Sequence, residues 1–119
     1  HDIGRAIHPD SARGQIVGGA VMMLGIASME EYIMKDGLPA TPSFAQYVIP
    51  TAKDIPEENI SLFVENQAKD CPLGGKGLGE HAMFTTGPAL SNAIYDAIGV
   101  SMTELPITPE KMLKAMDKI

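Results

Sequence analysis

Residues 9–31 read PDSARGQIVGGAVMMLGIASMEE, and the conformation of this run decides what the rest of the chain must pack against. Pro9 suits the first turn of a helix, and Asp10 and Ser11 offer capping oxygens and early negative charge. From Gln15 to Met29 there is little polar surface, so the helix is expected to be buried nearly all round. Gly14, Gly18, Gly19 and Gly25 each weaken a helix by about 1 kcal/mol relative to Ala. Such residues persist where another element or a ligand must approach the backbone closely. Close packing is the expectation for most of them. The apolar stretch from Ile16 to Met29 is too short to cross a bilayer.

Working outward, EYIM (residues 31–34) reads as a strand leading into an Asp36-Gly37 turn. Pro39 and Pro42 make the next stretch extended and irregular. AQYVIP (45–50) reads as a short strand ended by Pro50. ISLFVEN (60–66) is the clearest strand, being rich in β-branched and aromatic residues. CPLGGKGLGE (71–80) has too many glycines for regular structure. HAMFTTGPALSNAIYDAIG (81–99) is helical, with Pro88 expected in a first turn and Gly99 as the stop. Leu90, Ile94, Ala97 and Ile98 carry its apolar spacing. A last helix begins at Thr108 as N-cap with Pro109 at N1, and Met112, Leu113 and Met116 form its core stripe. The fold expected is α+β, a single domain over residues 1–119. A long apolar helix and two C-terminal helices would pack on a small antiparallel sheet.

The balance of 45% hydrophobic and 20% charged residues is that of a globular chain, not a disordered one. A formal charge of −6 with few aromatics argues against nucleic acid, whose phosphates demand a basic footprint. No Lys/Arg cluster fits an anionic membrane. Cys71 is the only cysteine, so neither an internal disulfide nor a multi-cysteine metal site can form within one chain. No signal peptide is visible, and a cytoplasmic protein is expected. The opening HDIGRAIHPD carries no start methionine, which points to a fragment or a processed piece of something larger.

Four glycines, Gly74, Gly75, Gly77 and Gly79, fall within the seven residues GGKGLGE. A phosphate cradle is the first chemistry to test. A P-loop aligned on Gly75-Lys76 would need glycine at Asp70 and Ser or Thr at Gly77, and fails twice. A dinucleotide fingerprint begun at Gly75 and Gly77 would need glycine at Glu80, and fails as well. There remains a glycine loop that delivers a carboxylate. Glu80 stands where the loop meets an apolar helix-forming segment, and an apolar setting would suit it to proton transfer. On composition alone, a solvated glutamate at a helix start is the better account of the same residue.

The chain as a whole resembles the C-terminal part of the molybdopterin-binding subunit of the molybdenum hydroxylases, the xanthine dehydrogenase and aldehyde oxidoreductase family. Seven segments carry the resemblance in order. They are HDIGRAIHP, GQIVGGAVMMLGIASMEE, DG, YVIPTAKDIP, GGKGLGE, PALSNAIYDAIG and LPITPEKML. The resemblance implies hydroxylation of an sp² carbon, in a purine-like heteroaromatic or an aldehyde, with oxygen taken from water. It implies Glu80 as the general base beside a molybdenum centre. It places Gln15, Gly18 and Gly19 near the molybdopterin, and Gly77 and Gly79 as the residues that shape the catalytic loop. No side chain of this chain is assigned as a metal ligand. Where many members have a second glutamine, seven residues after the first, this chain has Met22, a weak acceptor.

The same resemblance implies partners. The remainder of the molybdopterin subunit would enclose the cofactor. Iron–sulfur clusters, and in many members FAD, would sit on other domains or chains, since one cysteine cannot hold a cluster. Alone, the chain is expected to bind no cofactor, to be inactive, and to self-associate through the apolar face of its first helix. The alternative is a non-catalytic binding or assembly module that keeps the fold. Among the other residues, His81 reads as a helix-start residue, Lys76 as a loop lysine able to offset nearby charge, and Cys71 as a packing cysteine. Asp2, Arg5 and Asp10 read as surface charges.

Overall fold

Pro9–Ser28 forms the 20-residue helix α1, the backbone of a computed structural model that describes residues 1–119. Its cap differs from expectation. His8 is the N-cap, and its Nδ1 accepts the Ser11 amide hydrogen at 3.1 Å, while Asp10 turns outward to pair with Arg13. Imidazole nitrogen does here what a hydroxyl or carboxylate oxygen usually does at a helix start.

The chain then forms a hairpin of β1 (Met34–Lys35) and β2 (Leu38–Pro39), antiparallel, with Lys35 opposite Leu38. Asp36 and Gly37 both hold positive φ (51° and 77°), the conformation a two-residue hairpin turn requires. Residues 45–50 do not form the expected strand. The Gln46 and Tyr47 amides fold back onto the Ser43 carbonyl, and the Tyr47 hydroxyl donates to Glu30 at 2.6 Å. Residues 60–66 are extended, but pair only with the chain's first residues, in a parallel bridge between Asp2 and Val64. A sheet needs a ladder of successive paired residues, and here the pairing stops at one isolated bridge.

Helix α2 spans Met83–Ile98 and ends on Gly99 in the left-handed region (φ 74°), as its sequence predicts. The helical region expected over 81–99 is one continuous helix, which puts Pro88 inside it and not in a first turn. Packing against α1 outweighs the missing amide hydrogen. Ala82 and Gly87 are buried, and a β-carbon on Gly87 would run into the Met23 side chain of α1. Helix α3 (Pro109–Ala115) begins as expected, with Thr108 Oγ1 accepting the Lys111 amide hydrogen at 3.3 Å.

Helix α1 packs on α2, and the hairpin packs on neither. The architecture is α+β with an antiparallel sheet, but both strands are fully exposed and the helices do not rest on them. The core is correspondingly thin. Ile3, Ile16, Ala27, Ala82 and Ile107 are the buried apolar residues, and no large side chain is fully enclosed. Of α1, only Ile16, Gly19, Gly25 and Ala27 are buried, so the helix is covered on one side instead of all round. The radius of gyration is 17.7 Å, against about 13.5 Å for a compact chain of this length. The surface of 8349 Å² exceeds the roughly 6,200 Å² expected for a self-contained monomer of this mass. No helix is long and apolar enough to cross a membrane.

Candidate functional site

The glycine loop is held from below by the chain's first residues. Arg5 donates its amide hydrogen to the Gly74 carbonyl (3.0 Å), and the Lys76 amide donates to Ile3 (2.9 Å), which makes an antiparallel bridge between Gly4 and Gly75. Gly4 is required there. Its φ is +61°, and a β-carbon would collide with the Gly74 carbonyl oxygen. Lys76 Nζ then reaches Asp2 Oδ2 at 2.6 Å. The ion pair and the Gly4 amide together hold the Asp2 carboxyl below its usual range. Lys76, read from sequence as a loop lysine able to offset nearby charge, and Asp2, read as a surface charge, thus form a clamp across the loop's base.

From the side, the loop is held by α1. Gln15 Nε2 donates to the Gly79 carbonyl at 2.9 Å across 64 residues of sequence. The bond fixes the residue immediately before Glu80. On the far side, the Glu80 carbonyl accepts the Met83 amide hydrogen at 2.9 Å and so opens α2. The backbone of Glu80 therefore sits between two anchors. Its carboxylate belongs to none of the chain's ion pairs and is exposed. The apolar setting foreseen for this group is not supplied by the chain itself, because the helix that follows turns its buried residues, Ala82 and Gly87, toward α1.

The predicted site glycines divide into two kinds. Gly19 is a packing glycine, buried at the α1–α2 crossing, with Ala82 Cβ 3.0 Å from where its own β-carbon would stand. Gly18, Gly77 and Gly79 are exposed, a β-carbon on any of them meets nothing within 4 Å, and none has positive φ. Neither backbone conformation nor internal packing calls for glycine at these three positions. What remains is close approach by something outside the chain. Gly18 lies one turn along α1 from Gln15, on the same face, and exposed Met22 continues that face. The structure thus brings Gln15, Gly18, Gly79 and Glu80 to one surface and turns Gly19 away from it.

The molybdopterin implied by the resemblance fits this surface on one side. Open glycine backbone admits a flat ligand, and the Gln15 amide keeps a carbonyl oxygen free of hydrogen bonds within the chain. No group of three or more His, Cys, Asp or Glu converges in this chain. A cleft of about 280 Å³ between α1 and the loop is lined by Gln15, Lys76 and Leu78 among others, and Glu80 does not line it. His81 packs its ring against His1 with centroids 5.0 Å apart. Cys71 is exposed, not packed as expected, because the short 3₁₀ turn at Pro72–Gly74 stands away from the helices. The contacts of Gln15 with Gly79 and of Asp2 with Lys76 were not legible in sequence, since each joins residues more than 60 positions apart and leaves no local pattern.

Comparison with known proteins gives a consistent set of matches. Residues 1–56 match the model of a molybdopterin cofactor-binding domain. The chain is 45% identical over 116 residues to the 6-hydroxypseudooxynicotine dehydrogenase complex subunit gamma of Paenarthrobacter nicotinovorans, covering 93% of this chain and 14% of that protein. It is 38% identical to one subunit of a probable xanthine dehydrogenase of Bacillus subtilis, covering 97% of this chain and 15% of that protein. The crystal structure of quinoline 2-oxidoreductase from Pseudomonas putida 86 superposes with a TM-score of 0.89 at 33% identity, over 98% of this chain and 15% of that one. The chain spans about one seventh of the length of these relatives. On the ordered motifs, the fold and these matches together, the chain belongs to the molybdenum hydroxylase family of xanthine dehydrogenases and aldehyde oxidoreductases.

Proposed function

We propose that this chain is the C-terminal, base-bearing segment of the molybdopterin-binding domain in an enzyme that hydroxylates an sp² carbon of a heteroaromatic ring or an aldehyde. The oxygen comes from water, and Glu80 is the general base. The observation that carries the reading is the placement of Glu80. Its backbone is anchored on both sides, while its carboxylate is left free beside open glycine backbone.

Oxidative hydroxylation consumes water and releases two electrons and two protons. When bound, molybdopterin supplies a metal centre that activates the oxygen and takes up the electrons. The chain's own residues do the rest of what is assigned to it. A Glu80 carboxylate oxygen takes one of the protons as the new carbon–oxygen bond forms. Gly18, Gly77 and Gly79 let the cofactor approach backbone directly. Gly19 serves the helix crossing beneath. The wall that excludes water from Glu80 belongs to the remainder of the subunit, and the electrons leave through iron–sulfur and, in some arrangements, FAD domains or chains. Two of the matched relatives are named for action on nitrogen heterocycles, quinoline and xanthine, which favours a heteroaromatic substrate.

The test is Glu80→Gln in the complete enzyme. Molybdenum content should stay at the wild-type level while turnover falls by at least roughly 10³-fold, the upper range for removing a positioned base. Near-wild-type turnover would refute the assignment and leave an assembly role as the function of this segment.

A further inference from the structure

Gln15 stands on the surface that should face the cofactor, yet its amide nitrogen is already engaged. It donates to the Gly79 carbonyl at 2.9 Å. Gly79 is exposed, has no side chain, and has no neighbour within 4 Å of its β-position. No other hydrogen bond holds the Gly77–Gly79 stretch, because the backbone hydrogen bonds of the loop end at Lys76 and resume at Glu80, and only the half-buried Leu78 side chain leans on the cleft beside α1. Two glycines in three residues make that stretch the most permissive backbone next to Glu80. The amide of Gln15 is its one hydrogen-bonded tether.

We infer that Gln15 is a positioning residue for the general base: it locks the Gly79 peptide to helix α1 and so sets where the Glu80 carboxylate points. The inference rests on the reading of Glu80 as the base. The physics is that of proton transfer, which demands a heavy-atom approach of about 2.6–3.2 Å. A misplacement on the order of 1 Å costs up to roughly 100-fold in rate. Helix α1 is 20 residues long and packed on α2 through Gly19 and Ala82, so it is a rigid reference for the loop. The other half of the Gln15 amide, its carbonyl oxygen, stays available to a ligand. One side chain can thereby register cofactor and base to each other.

The experiment uses the complete molybdenum-loaded enzyme with Gln15→Leu, which keeps the side chain's bulk and removes the donor, and Gln15→Lys, which keeps a donor at similar reach. Molybdenum content, kcat per bound molybdenum, KM, and amide hydrogen exchange over residues 77–80 are measured for each. Gln15→Leu should lower kcat per molybdenum roughly tenfold, the range set by losing one neutral hydrogen bond. KM should stay within about twofold, and exchange in the loop should quicken several-fold. Gln15→Lys should recover most of both losses. The inference is overturned if Gln15→Leu leaves kcat per molybdenum unchanged while Glu80→Gln is inactive. It is also overturned if molybdenum content falls with loop exchange unchanged, which makes Gln15 a cofactor contact only. If Glu80→Gln itself retains turnover, the base assignment fails, and faster loop exchange in Gln15→Leu would still stand as evidence for the tether.

Discussion

Ala82 Cβ lies 3.0 Å from the position a β-carbon on Gly19 would occupy, and both residues are buried where α1 meets α2. This contact sets the helix crossing and, through it, the point at which α2 begins, just after Glu80. Met83 N lies 3.6 Å from the same position, so backbone as well as side chain crowds it. Gly19→Val should overpack the crossing and destabilise the fold by about 1–3 kcal/mol. Gly14→Ala is the control. Its β-carbon meets nothing on the same helix, and the substitution should stabilise by about 0.4–1 kcal/mol. Thermal melts of the two variants should therefore move in opposite directions. A shift of the same sign in both would show that the crossing is not the constraint.

Gly18 is predicted to behave differently from its neighbour. A side chain there meets no atom of this chain, and alanine is the better helix former. Gly18→Ala should leave the melting temperature unchanged or raise it. In the assembled enzyme, Gly18→Leu should lower molybdenum content, because the side chain would stand where the cofactor approaches. Metal analysis of purified protein checks this, and full molybdenum loading in the leucine variant would remove Gly18 from the cofactor surface.

The clamp between Asp2 and Lys76 gives the loop a defined response to acid. Lys76, and after it the Gly4 amide, hold the Asp2 carboxyl below its ordinary value of 3.8. A carboxylate depressed in the folded state adds stability above its unfolded value and loses it as pH falls through the folded one. Below about pH 4, the melting temperature of the native chain should therefore fall more steeply than that of Asp2→Asn, which has no such proton to take up. At neutral pH the ion pair is intact and Asp2→Asn is the less stable of the two, and the gap closes as the pH falls. Parallel pH profiles for the two proteins would show that the ion pair, which is partly exposed, contributes nothing measurable.

The apolar surface left open is large for a chain of this size. Phe44, Leu38, Ile60, Leu62 and Phe84 are each at least 70% exposed. In residues 60–64 the exposed side chains Ile60, Leu62 and Val64 alternate along an extended segment hydrogen-bonded to its neighbour on one edge only. Such an edge is a ready template for another strand. Expressed by itself, the chain should associate at concentrations in the tens of micromolar, and Leu62→Lys should reduce the association. Light scattering across a concentration series decides it, and a monomer throughout would count against the exposed edge as the driving surface.

Much of this was legible locally. The extent of α1, the Asp36-Gly37 turn, the Gly99 stop and the Thr108 cap all follow from short-range rules about φ, capping oxygens and proline, which act within about a helical turn and need no partner. Glu80 as the proposed base rests on the ordered family segments around it, because the glycine loop and its charge pattern by themselves also fit a solvated glutamate at a helix start. The strands expected at 45–50 and 60–66 did not form, and the place of Pro88 within one continuous α2 and the split of the glycines into packing and open positions were not legible. All depend on which distant backbone or side chain supplies a partner. Residues 60–66 are extended, but their backbone pairs only with the chain's first residues, so no sheet forms. Pro88 falls inside a helix because burial of Ala82 and Gly87 against α1 outweighs the lost amide hydrogen. Gly18 and Gly19 are identical in sequence terms, and the α1–α2 crossing alone makes one a packing residue and leaves the other open. Sequence singled out the residue proposed to carry the chemistry. Tertiary contact decided what holds it in place, because the tether from Gln15 to Gly79 joins positions 64 residues apart that no periodicity relates.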